Sequence, residues 1–381
     1  MKILRSLSRI IIGIVFIFSG TVKAIDPLGS AYKFHDYFQA FNIGFLDSLC
    51  LPLAILLCTA EFIGGFAVLT GFRQKTGIWI VMILMAIFTP LTFILALTNP
   101  VSDCGCFGDA IHLTNWQTFG KNIILIAFAI VLYTGKKQVK NIFSAFNEWI
   151  VTTVVIFLFI LFSLFNLRYL PVIDFLPYKT GVRIADKMVI PEGMPVDQYE
   201  TTFIYEKEGI RKEFSLSDYP ANDTLWKFIE QRSVLIKKGY QPPIHDFSIS
   251  RMNGADLTQE ILSYPGFSVL MVSKKLSEAG KNHLAEGFDL GSYCAAGGIK
   301  FYILTASGTD EVKKHDNGLQ FCSADETTLK SMVRANPGFL LIKDGVIIGK
   351  WSWANVPSKE WFRKQKSKDC TGNNLKILND L

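Results

Sequence analysis

Asp103-Cys104-Gly105-Cys106-Phe107-Gly108-Asp109 is a short acidic loop with two cysteines one residue apart, set between two long apolar runs. Its surroundings decide the fold. A helix crossing a hydrocarbon core needs about 20 mostly apolar residues, and such runs occur near 4–24, 49–69, 77–97, 116–134 and 149–169. Half of the 381 residues are hydrophobic, 31 of them Phe, and the excess lies in these runs. The 210 or so residues behind them leave room for a second domain. The expected architecture is a multi-pass α-helical membrane bundle in a lipid bilayer, followed by a soluble α/β tail.

Lys2, Arg5 and Arg9 ahead of 10–18 also fit a secretory signal peptide. Lys23 at the would-be cleavage site and the four later spans favour a retained first helix. Lys and Arg collect on the cytoplasmic side of short loops. Lys2, Arg5 and Arg9, then Arg73 and Lys75, then Lys136, Lys137 and Lys140 all fall on one face, whereas the loop 99–115 has Asp103 and Asp109 and no Lys or Arg. The N-terminus is therefore expected in the cytoplasm. The cysteine loop and the tail are expected to share the outer compartment, a periplasm, with the spans in the inner (cytoplasmic) membrane. Residues 1–170 hold 12 Lys+Arg against 7 Asp+Glu, and the remainder 27 against 26. That balance has no basic stripe of the kind nucleic acid demands, so nucleic acid is excluded as a partner.

Within the spans, Lys23 ends Ser19-Gly20-Thr21-Val22-Lys23 and reads either as a snorkelling lysine or as the partner of Glu61. A carboxylate as deep as Glu61 is costly and faces a partner, a cavity or a proton path. Gly64-Gly65 beside it permits close helix approach. Pro90, flanked by Thr89 and Thr92, marks a kink; Asn99-Pro100 ends the third span, and Thr114 or Asn115 caps the fourth. Pro171 and Pro177 mark the exit from the fifth.

In the tail, 199–205 and 210–216 alternate around Lys207-Glu208-Gly209 and predict a hairpin; 226–237 predicts a helix. After Pro242-Pro243, strands are expected at 246–250, 267–272 and 300–304. Ser323-Ala324-Asp325-Glu326 is a capping-box signature opening a helix to about Arg334. Asn336-Pro337 then leads a hairpin, 338–342 and 346–351, around Lys343-Asp344-Gly345. This order, over about 244–365, resembles the thioredoxin-like fold, with Pro337 in the place of that family's cis-proline. Where that family carries Cys-x-x-Cys after the first strand, this chain reads Ser273-Lys274-Lys275-Leu276, so the tail is expected to lack an active-site dithiol. Cys294, Cys322 and Cys370 have no second cysteine at redox spacing and are expected to be buried small side chains or structural disulfide partners.

The cysteine loop after the third span, the Ser-Gly-x-x-Lys end of span one and Glu61 in span two together resemble the DoxX-like membrane proteins, in the branch that includes the methylamine-utilisation protein MauE. The resemblance covers 1–135. It implies a four-helix core, to which the fifth span is added, and a link to redox maturation of exported proteins; it does not make methylamine relevant here. The domains expected are 1–135, the four-helix core; 136–170, a cytoplasmic loop and fifth span; 171–243, an extracytoplasmic connector with the hairpin; and 244–381, the thioredoxin-like domain.

What transfers from the resemblance is a place for chemistry at Cys104 and Cys106, with Glu61 and Lys23 in support. Disulfides persist outside the cytoplasm, and one across a single glycine is expected to be strained and relatively oxidising. Asp103 and Asp109 act to raise the thiol pKa values, and a helix N-terminus near Trp116 to lower them. Three readings follow. The pair is a thiol–disulfide relay with an extracytoplasmic protein partner that the tail docks; or it is a structural disulfide in an anchored assembly factor; or it belongs to an electron-transfer component in which Glu61 moves protons and a quinone is the acceptor. No cofactor beyond that quinone is implied. No metal is expected, since two cysteines with only His112 close by make a weak site.

Overall fold

The computed structural model describes every residue except Met1, Ser102, 136–143, Ser217, 219–224, Lys238, Asp246, Asp316 and 371–381. Lys136, Lys137, Lys140 and Asp246 therefore lie outside the described residues, as does the side chain of Cys370. The described chain forms two compact units, Met1–Gly181 with Ser248–Leu381, and Val182–Phe247.

The first half contains α1 (Lys2–Ile25), α2 (Pro27–Ala40), α3 (Cys50–Thr70), α4 (Gln74–Thr98), α5 (Asn115–Gly135) and α6 (Ala145–Tyr169). All but α2 are long and apolar enough to cross a membrane, at the five predicted positions. Lipid tails give no hydrophobic drive for helix association, so close packing and polar contacts must supply it. The α1–α3 contact meets that need through glycine. A Cβ on Gly20 would lie 2.7 Å from Cys58 O, and one on Gly65 would lie 2.7 Å from Ile17 N. At the other end of α1, Arg9 donates to Val68 O (2.7 Å) and Leu69 O (2.9 Å), satisfying the last carbonyls of α3 with a cation that suits the helix dipole.

α4 continues through Pro90, and Thr92 Oγ1 bonds Phe88 O at 2.8 Å while accepting from Asn122 Nδ2 at 3.2 Å. Of the two caps expected for α5, Thr114 serves. Its Oγ1 accepts from Gln117 N (3.3 Å), and Gln117 Oε1 accepts from Thr114 N (3.0 Å), a reciprocal capping box.

The unit Val182–Phe247 holds α7 (Ile184–Met188) and an antiparallel sheet of β1 (Gln198–Lys207), β2 (Ile210–Ser215) and β3 (Lys227–Lys237) in the order β2-β1-β3. The expected hairpin is present, turning at Glu208 and Gly209 with φ of 52° and 79°. The helix predicted at 226–237 is instead the strand β3. It pairs with β1 from Gln198↔Lys237 to Glu206↔Lys227, and its Phe228 packs on Tyr205 at 5.7 Å. Cross-strand pairing and β-favouring residues override the helical pattern here.

In the first unit the chain resumes with β4 (Ile249–Arg251), α8 (Thr258–Leu262), β5 (Phe267–Val272), α9 (Lys281–Ala296), β6 (Lys300–Thr305), α10 (Thr309–Lys313), β7 (Gln320–Ala324), α11 (Glu326–Met332), β8 (Gly338–Lys343), β9 (Val346–Ser352) and α12 (Lys359–Cys370). The sheet order is β4-β7-β6-β5-β8-β9. β5 is buried on both faces along its whole length, as a strand covered by helices on either side must be. β5, β6 and β7 are parallel; β8 runs antiparallel to β5, and β9 turns back antiparallel to β8 as its hairpin partner.

The Asn336–Pro337 bond ahead of β8 is cis. The β6-β5-β8-β9 set with this proline is the thioredoxin-like arrangement, and Val269, Ile303, Phe339, Trp351 and Phe362 fill its core. One detail shifts. Ser323 lies in β7, where its residue pairs with Thr305, so the helix cap is Asp325, whose carboxylate accepts from Thr327 N and Thr328 N.

Candidate functional site

Ser19 and Lys23, four residues apart, share one face of α1 and meet Glu61 of α3. Lys23 is 5% exposed and does not snorkel. Its Nζ lies 2.8 and 2.9 Å from the Glu61 carboxylate oxygens, 2.7 Å from Ser19 Oγ and 2.6 Å from the carbonyl oxygen of Cys106. Three donors thus meet three acceptor groups, as a buried ammonium requires. Ser19 Oγ reaches both Glu61 Oε2 and Cys106 O at 2.8 Å. The deep ion pair therefore fixes the backbone of the cysteine loop.

The loop is pinned elsewhere as well. Tyr37 of α2 donates to Cys104 O at 2.5 Å. Gly105 has φ of 65° and packs on the stem of Lys33, with 2.8 Å from a would-be Cβ to Lys33 Cγ, so a side chain is excluded on both counts. Asp103 accepts from Gly105 N (3.0 Å), pairs with His112 (3.0 Å) and lies 3.8 Å from Lys33. Asp109 pairs with Arg334 of the tail, whose Nε also bonds Asp26 Oδ2 at 2.8 Å. Both aspartates thus have cationic partners of their own.

The two sulfurs are 3.2 Å apart as free thiols. Their acidities split. The hydrogen bond from the Cys104 thiol outweighs burial and, with the Lys121 and Lys23 ammonium groups, brings Cys106 down to about 6 from an ordinary 9.0. That same bond, together with burial, pushes Cys104 up. Cys106 is thus the more acidic thiol and Cys104 the less acidic one, an inequality that suits one of them to act as nucleophile or leaving group. Beneath it a cavity of about 100 Å³ has Cys104 and Cys106 in its wall, beside Lys23, Glu61, Lys121 and several apolar side chains.

In the tail, the position that bears the dithiol in the thioredoxin-like arrangement is occupied by fixed contacts. Ser273 Oγ bonds Asn336 Oδ1 at 2.9 Å beside the cis-proline, and Lys274 Nζ bonds Tyr32 Oη of α2 at 2.6 Å. Cys294 and Cys322 are buried free thiols, both pushed up to about 12 by burial. His112 is engaged with Asp103. Among the described residues, ligand-like spacing for a metal occurs at His35, Asp47 and Cys50, whose donor atoms lie within 4.8 Å of one another.

Ser19, Tyr37, Lys121, Arg334 and Asp26 escaped sequence reasoning as site residues. The Asp26-Pro27 start of α2, an N-cap followed by proline, was the one local signal that would have exposed Tyr37.

The class these features define is a multi-pass membrane protein in which a helical bundle with a largely buried cysteine pair in one of its loops carries an α/β thioredoxin-like domain. Residues 1–135 match the family described as methylamine utilisation protein MauE, and 199–238 match a domain of unknown function. The chain is similar to Protein TlpB of Flavobacterium psychrophilum, 30% identical over 140 residues, which is 35% of this chain and 38% of that protein. It thus spans well under half of that relative. Among solved structures, a putative protein disulfide isomerase from Bacteroides thetaiotaomicron matches 32% of this chain and 84% of its own, with 14% identity and a TM-score of 0.26. The thioredoxin-like reading of the tail rests on its own sheet order. The chain joins a MauE-like membrane region to a thioredoxin-like tail.

Proposed function

We propose that the chain is a membrane thiol–disulfide relay whose working pair is Cys104 and Cys106. The amino terminus lies in the cytoplasm, the bundle in the inner membrane, and the cysteine loop and tail on the periplasmic side, as the distribution of Lys and Arg supports. When the pair is oxidised, a thiolate of an exported protein attacks Cys104 Sγ and expels Cys106, the more acidic thiol and so the better leaving group. The partner's second thiol then resolves the mixed disulfide. The partner leaves oxidised, and Cys104 and Cys106 are left as thiol and thiolate.

Asp103, Asp109, Lys23 and Glu61 act as positioning residues for the loop, and the tail docks the partner. What supports this reading is the sulfur pair itself: a contact of 3.2 Å, unequal acidities and a backbone held by a buried ion pair.

The test uses the full chain in lipid nanodiscs, equilibrated with glutathione buffers of stepped potential and read by mass-tag alkylation. The expected result is reversible two-electron oxidation of the pair and transfer of oxidation to reduced ribonuclease. A pair that stays oxidised in every buffer would instead be a structural disulfide.

A further inference from the structure

We propose that the cavity beneath Cys104 and Cys106 binds the ring of a lipophilic para-quinone, which takes two electrons from the reduced pair. This rests on the relay reading and names its electron acceptor. The walls come from four transmembrane helices and α2, with Phe16, Phe34, Met85, Phe88 and Leu125 supplying apolar surface. A volume of about 100 Å³ is of the same order as the apolar void of about 150 Å³ that takes up benzene. The hydrocarbon tail of such a molecule stays in the lipid.

The polar groups narrow the class of ligand. A phosphate-bearing acceptor needs several free cations or a helix N-terminus at its site. Here Lys23 is fully committed to Glu61, Ser19 and Cys106 O, and Lys33 is shared with Asp103. Lys121 remains. Its ammonium lies 4.3 Å from the centre of the Phe107 ring and has no ion-pair partner among the described residues. One unpaired cation beside a thiolate suits a neutral ring that gains negative charge only as it is reduced.

The step balances. The Cys106 thiolate, the Cys104 thiol, one quinone and one proton from the loop side give the disulfide and the hydroquinone. The Cys104 S–H bond breaks, the Sγ–Sγ bond forms, and both quinone carbonyls become C–OH groups.

The experiment takes the pre-reduced full chain in nanodiscs and adds decyl-benzoquinone or a short-tailed naphthoquinone, following hydroquinone absorbance and protein thiols together. The expected result is one quinone reduced per pair oxidised by at least one of the two probes. In Lys121→Met and in Leu125→Phe, the rate with quinone relative to the rate with diamide, measured on the same protein, falls about tenfold, as the loss of one charge-assisted contact or of the ring's space implies. A pair that diamide oxidises and that exchanges with ribonuclease, but that neither quinone touches, overturns the acceptor and leaves the relay standing. Quinone-to-diamide ratios unchanged in both variants overturn the cavity as the site. A pair inert to diamide and to ribonuclease overturns both readings.

Discussion

Two loops of this chain could carry a redox dithiol: the loop from Asp103 to Asp109 at the end of the membrane bundle, and Ser273-Lys274-Lys275-Leu276 after β5. The second keeps the surroundings the thioredoxin-like fold provides, a buried strand end beside a cis-proline, but has no sulfur. Its polar atoms bond within the tail and to Tyr32 of α2. The first has the sulfur, and the loop and bundle supply what lowers a thiol's pKa and holds it in place: a hydrogen bond from the partner thiol, nearby ammonium groups and a fixed backbone. The fold alone points to the tail for a dithiol; the paired sulfurs lie in the membrane region, where the relay reading puts the chemistry.

The largest break in that comparison comes from the cysteines. Cys104→Ser and Cys106→Ser each abolish ribonuclease oxidation by the nanodisc-embedded chain, while Lys274→Met leaves turnover in place. Next is the buried ion pair. Lys23→Met strands the Glu61 carboxylate and lowers stability by about 3–5 kcal/mol, read as thermal unfolding in detergent; Lys23→Met with Glu61→Leu recovers most of that loss. Arg334→Ala removes charged hydrogen bonds to Asp26 and Asp109 and costs about 2 kcal/mol, seen as faster proteolytic release of the tail.

The smallest effect sits at the loop edge. The hydrogen bond to Asp103 raises His112 above its usual 6.5. Burial alone would raise Asp103, but the bonds from His112 and Gly105 N outweigh it and hold that carboxyl below 3.8. The mutual stabilisation is therefore full below the unfolded-state value of the histidine and is lost as pH rises through its higher folded value. On the acid side it is lost as pH falls through the lowered Asp103 value. Asp103→Asn returns His112 toward 6.5 in an NMR titration of its ring.

Much of this architecture was legible in the residues. Five apolar runs gave five spanning helices because length and hydropathy are the whole of that signal, and Asp344-Gly345 fixed a hairpin because both positions take positive φ. The strand β3 was misread as a helix because pairing with β1, a partner more than twenty residues away, decides its conformation. The cysteine pair and its two intramembrane charges could be picked out, since each is costly where it lies. Lys121 and Arg334 could not, because an ordinary lysine in α5 and an ordinary arginine after α11 gain their meaning only from what the fold brings beside them.

The most direct measurement is the rate of iodoacetamide alkylation against pH on the reduced chain, with the other five of its seven cysteines replaced and the modified residue identified by mass spectrometry. The relay account predicts that Cys106 reacts with a midpoint near 6 while Cys104 stays unreactive through neutral pH. Equal reactivity of the two thiols with one midpoint near 9 would contradict it.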